Sequence, residues 1–112
     1  MQKVMYAGTT FVIDDELWTR VERVFDVLTI TGGSFTAELP VHLGDEQLAT
    51  RVRVRLVARA PWVAAPDRLI PEDADSVGKI NAINAIDSFL QSSLRDNQDV
   101  QNLLARFGYF AH

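Results

Sequence analysis

Apolar and polar residues alternate along this chain in two rhythms, and the switches between them mark out its elements. Residues 3–13 (KVMYAGTTFVI) are rich in β-branched and aromatic side chains on either side of Ala7-Gly8. That pattern predicts a tight hairpin, preferred over one long strand bulged at the glycine. From Leu17 the period lengthens. Leu17, Trp18, Val21, Val24, Phe25 and Leu28 form one helical stripe, with Arg20, Glu22, Arg23 and Asp26 outside it. Asp14 is placed to cap this helix, Asp15 and Glu16 complement the positive end of its dipole, and Ile13 can staple onto Trp18. Thr29-Ile30-Thr31 weakens the helix and Gly32-Gly33 ends it.

Period two returns from Ser34 to Val41, with Phe35, Ala37, Leu39 and Val41 on one face and Pro40 suggesting an edge or a strand end. Thr50 to Ala60 alternates again, with Val52, Val54, Leu56 and Ala58 inward and Arg51, Arg53, Arg55, Val57 and Arg59 outward. The loop between them (HLGDEQL) is of hairpin length, so an antiparallel pair is expected. Residues 61–71 (PWVAAPDRLIP) hold three of the four prolines, which excludes a regular helix or a central strand. Trp62, Val63, Leu69 and Ile70 make this connector too apolar to hang free, so it is expected to lie on the domain or on a neighbouring subunit.

A second helix is predicted from a cap at Asp75 or Ser76, with Val77, Ile80, Ile83, Ile86, Leu90 and Leu94 as its stripe, helped by Ala82, Ala85 and Phe89. Asp96-Asn97 ends it and caps a short third helix carrying Val100, Leu103, Leu104 and Phe107, with Gly108 as the stop and Tyr109-Phe110 as an aromatic tail. The order strand, strand, helix, strand, strand, helix, helix describes an α+β fold: a small, mostly antiparallel sheet of about four strands with helices packed on one face. One domain is expected over 1–112: a strand, helix and hairpin part at 1–60, a Pro-rich apolar connector at 61–75 and a helical hairpin at 76–112.

Composition narrows the function classes. The 112 residues are 47% hydrophobic and 23% charged, which suits one core and excludes disorder or low complexity. No apolar run approaches the ~18 residues of a membrane span, and residues 1–20 lack the succession of a signal peptide. A cytoplasmic location away from membranes is the expectation. Without cysteine there is no disulfide, no thiolate nucleophile and no Cys-based zinc site. The net charge of −4 argues against a general nucleic-acid binder, since phosphate repels an acidic chain that lacks a basic patch.

That charge is uneven. Residues 1–48 carry three basic and eight acidic groups, whereas residues 49–59 carry four arginines and no acid. A strand's two-residue period puts Arg51, Arg53 and Arg55 on one face, with Arg59 further along the same side. Such a row can clamp phosphates or carboxylates bidentately. The plainer reading is a solvated sheet face whose charges pair across the hairpin with Glu38, Asp45 or Glu46 and guard the sheet against edge association. Glu72, Asp73 and Asp75 have a spacing that suits a hard cation, but beside a predicted helix start their expected role is capping, as it is for Asp14, Asp15 and Glu16.

The catalytic inventory is thin. His42 falls in the predicted loop, where it is expected to be an exposed turn residue, and His112 is the last residue. Gly32-Gly33-Ser34 lacks the spacing and the following helix of a phosphate-binding loop and reads as a turn. No catalytic residue, metal ligand or cofactor is therefore assigned. The expected function is a non-enzymatic binding or adaptor module, homo-oligomeric with a dimer favoured, that presents Arg51, Arg53, Arg55 and Arg59 to an acidic partner or ligand. The expected assembly residues are Trp62, Val63, Leu69, Ile70, Tyr109 and Phe110. The alternative is a small-ligand binder that holds a nucleotide or another phosphate-bearing anion over the same arginines. An enzyme using Glu72, Asp73 and Asp75 with a metal ranks last.

Overall fold

A two-residue turn opens the fold. In the computed structural model, which describes residues 1–110, Ala7 and Gly8 both take positive φ, 49° and 82°. That backbone twist matches the twist of the strands it joins, β1 (Gln2–Tyr6) and β2 (Thr9–Ile13), which pair antiparallel as expected. Helix α1 (Asp15–Thr31) follows at once. The Asp14 carboxylate accepts the Leu17 amide at 3.0 Å, and Gly32, left-handed at φ 74°, donates its own amide to the Leu28 carbonyl at 2.7 Å. Both ends of this helix were legible as caps.

Next come β3 (Ser34–Val41) and β4 (Thr50–Val57), an antiparallel pair in which Phe35, Ala37 and Leu39 lie opposite Leu56, Val54 and Val52. The strand stops at Val57 and does not reach Ala60, because the chain turns there with the Ala60 amide on the Val57 carbonyl. Part of the expected connector is itself a strand. β5 (Trp62–Pro66) pairs antiparallel with β1, on the side away from β2. Its one proline, Pro66, is tolerated because it is the last residue of an edge strand. The α+β class therefore stands, with five strands in place of about four, divided into a three-stranded sheet β2-β1-β5 and a two-stranded sheet β3-β4.

Two joints hold these sheets together. Val12 and His42 exchange backbone hydrogen bonds of 2.9 and 2.8 Å, linking the end of β2 to the residue after β3. The Tyr6 hydroxyl, on β1, donates to the Arg55 carbonyl at 2.8 Å and accepts the Val57 amide at 3.1 Å, so it binds the outer edge of β4.

Helices α2 (Ser76–Asp96) and α3 (Gln98–Ala105) complete the core, which gathers Val4, Phe11, Ile13, Leu17, Trp18, Val21, Phe25, Leu28, Leu39, Leu56, Ile86, Leu90, Leu94 and Leu104. Each large apolar side chain so buried contributes roughly 1.5–3 kcal/mol. The buried stripe of α2 differs from expectation. It runs Gly78, Ala82, Ile86, Leu90 and Leu94, while Val77 and Ile80 are left largely exposed. Through its first turns α2 turns Gly78, Asn81, Ala82 and Ala85 toward Glu38, Pro40 and Arg51, and together they line a small cavity of about 100 Å³. A Cβ at position 78 would collide with the Asp75 carboxylate. Phe107 likewise stays half out of the core, with the Arg23 guanidinium 3.7 Å above its ring. Among the described residues, no helix is long and apolar enough to cross a membrane.

Candidate functional site

The arginines of β4 share a strand but not a role. Arg51 binds Asp75 with two hydrogen bonds, 2.8 Å from Nε and 3.0 Å from Nη2. Asp75 in turn caps α2, accepting the Gly78 amide at 3.1 Å from a left-handed backbone at φ 43°. The guanidinium and then the Gly78 amide hold the Asp75 carboxyl below the usual aspartate range, and the same bond raises Arg51. Arg51 is thus a structural clamp on the start of α2. Asp73 supports the same turn by accepting the Asp75 amide at 2.9 Å. The acidic run therefore caps a helix, and among the described residues no three His, Asp or Glu side chains are gathered as metal ligands would be.

Arg53, Arg55 and Arg59 make no ion pair among the described residues. Pairing with Glu38, Asp45 or Glu46 does not form, although Glu38 is the cross-strand neighbour of Arg53. Arg59 lies beyond the end of β4, so it belongs to the turn and not to the strand face as expected. It lines an open cleft of about 900 Å³ with Arg55, Val57, Ala58, Leu28, Thr29 and the Gly32-Gly33-Ser34 turn. That cleft sits at the C-terminal end of α1, whose carbonyls disfavour an anion, so any anion there would depend on the two arginines.

A narrower groove of about 260 Å³ runs along the other side of Arg53 and Arg55, walled by Tyr6, Thr9, Phe11, Leu43, Val52 and Val54. The Tyr6 bonds fix what faces it. Because Tyr6 meets both the Arg55 carbonyl and the Val57 amide, every second residue of β4 turns its backbone groups outward to this edge. Pro40 agrees: it lies opposite Arg51, at a position where no amide is needed for the β3 ladder. The edge therefore carries the amides of Arg53 and Arg55 and the carbonyl of Arg53, none of which pairs with backbone outside β3 among the described residues. Sequence reasoning missed this groove, since its walls come from β1, β2, the loop after β3 and β4.

The other candidates separate. His42 is buried, 3% exposed, and not the exposed turn residue expected from its loop. Its backbone bridge to Val12 draws it inward, and its Nδ1 has no partner among the described residues. His112 lies outside the described residues. Trp62 stacks on Phe25 with ring centroids 5.8 Å apart and meets Trp18 edge-on at 5.3 Å, so much of its ring is spent on its own core. Val63, Ile70 and Phe110 are exposed, while Leu69 and Tyr109 are half-buried. Tyr109 and Phe110 lie beside α2 and α3, where the Phe110 carbonyl accepts the Gln91 side-chain amide. No family model, no curated protein and no solved structure matches this chain.

Proposed function

We propose that this chain is a non-enzymatic binding module that presents Arg53, Arg55 and Arg59 to an acidic protein partner. The observation that carries the reading is the cluster of three neighbouring arginines without ion pairs, bordering open surface, in a chain whose net charge is −4. Guanidinium groups left free in an acidic protein are available for carboxylates, which they bind with paired, charge-assisted hydrogen bonds. Self-association belongs to the same proposal. Met5 and Val63 are exposed neighbours across β1 and β5, and Ile70, Val77 and Ile80 are also exposed, which gives a second copy apolar surface to cover. A cytoplasmic setting is part of the proposal, to be read by cell fractionation.

The test is calorimetric titration of wild type, Arg53→Glu and Arg55→Glu with an acidic peptide at two salt concentrations, with light scattering to count subunits. Binding that falls at least about tenfold in either variant, and weakens with salt, supports the reading. Binding indifferent to both substitutions sinks it. A second reading, an anion such as a nucleotide in the larger cleft, draws on Arg55 and Arg59 lining it together. Titration with ATP distinguishes the two: the cleft reading requires loss of ATP binding in Arg59→Glu.

A further inference from the structure

We infer that the acidic partner binds as an added β-strand on the outer edge of β4, in an extended segment that alternates acidic and apolar residues. The inference rests on the proposed acidic-partner reading and adds to it a mode of recognition and a sequence requirement. Three observations meet at this edge. The Arg53 amide and carbonyl and the Arg55 amide face outward without a backbone partner, as a ready ladder for another strand. Tyr6 closes the ladder at one end by occupying the Arg55 carbonyl and the Val57 amide. An incoming segment is therefore limited to the part of β4 before this stop, which sets its register.

The two faces of β4 then dictate the incoming side chains. Arg53 and Arg55 lie on the exposed face, whereas Val52 and Val54 lie on the opposite face and line the apolar groove with Phe11 and Leu43. A neighbouring strand places its own side chains on the same two faces in alternation. Residues beside Arg53 and Arg55 must be acidic to pair with guanidinium groups that make no ion pair among the described residues. Intervening residues must be apolar to fill the groove. The arginines also exclude basic strands by like-charge repulsion, so an edge otherwise open to any strand becomes selective.

The experiment uses the whole chain, isotopically labelled, with a capped seven-residue peptide of alternating Glu and Val. Its control has the same residues with the four Glu in one block. Amide hydrogen exchange is followed residue by residue by NMR. Binding of the alternating peptide is expected to slow exchange at the Arg53 and Arg55 amides by about tenfold or more, leaving the Val52 and Val54 amides, which already face β3, unchanged. The block peptide is expected to bind more weakly and to protect neither. If the alternating peptide binds, and Arg53→Glu abolishes that binding, while exchange at Arg53 and Arg55 stays as in the free protein, strand addition is overturned and the acidic-partner reading survives. Equal affinity for both peptides also overturns it. If neither peptide binds, both readings fall together.

Discussion

The hydroxyl of Tyr6 and the carbonyl of Arg55 are joined by a 2.8 Å hydrogen bond that crosses from one sheet to the other. The Tyr6 hydroxyl oxygen also accepts the Val57 amide at 3.1 Å, so one side chain satisfies two edge groups of β4. Tyr6 is itself only 5% exposed and packs on Phe25 with centroids 5.5 Å apart.

Tyr6→Phe keeps the ring and deletes the bonds. Two partly buried backbone groups then lose their partner, which costs about 1–3 kcal/mol. Urea unfolding at neutral pH should show the midpoint falling with an unchanged slope. An unchanged midpoint would mean that water replaces the hydroxyl without penalty.

Ala7 holds a φ of 49°, a conformation that a side chain with a Cβ resists and that asparagine tolerates better. With Gly8 behind it, Ala7→Asn creates the Asn-Gly pair favoured in turns with two positive φ values. The variant should be more stable by about 0.5–1 kcal/mol, seen as a Tm raised by roughly 2–6 °C. Ala7→Val, β-branched at the same φ, should move the Tm the other way.

Asp75 carries a pH signature. Its carboxyl lies below the ordinary value of 3.8, chiefly through its bond to Arg51 and next through the Gly78 amide. A depressed carboxylate stabilises the fold fully above that ordinary value, and the contribution is lost as pH falls through the lowered one. Asp75→Asn retains an oxygen for the Gly78 amide and suits the φ of 43°, so it removes mainly the charge. Wild type should therefore exceed Asp75→Asn in urea stability near neutrality, with the gap closing progressively below about pH 3.8. A gap independent of pH would assign the role of Asp75 to turn geometry instead.

The local parts of this architecture were legible because their causes are local. Asp14, Gly32, Asp75 and Asn97 cap helices through bonds to residues two to four away, and the Ala7-Gly8 turn has strand-forming residues on both sides. What escaped depends on distant partners. Trp62–Pro66 becomes a strand only because β1 offers it an edge, and prolines at both ends hide that in the sequence. His42 is buried by its bridge to Val12, and Gly78 and Ala82, not Val77 and Ile80, take the buried side of α2. The arginine row was visible as an alternation, but its division was not. Nothing in the spacing of Arg51, Arg53 and Arg55 reveals that Asp75 claims the first, or that the backbone beside the other two lies open.

β1 is fastened on one side by β2, across a two-residue turn, and on the other by β5, where Tyr6 meets Trp62 and Gln2 meets Pro66. The second attachment encloses β2, α1, β3 and β4 in a single loop. The chain must surrender the entropy of closing that loop before the β5 ladder returns any of it, a cost that grows only slowly with loop length but weighs on the rate of assembly. The hairpin closes across two residues, whereas the third strand closes a loop that spans a helix and a second sheet. Of the three strand pairings in the two sheets, that of β1 with β5 joins the most distant segments of the chain and so weighs most on the rate of folding.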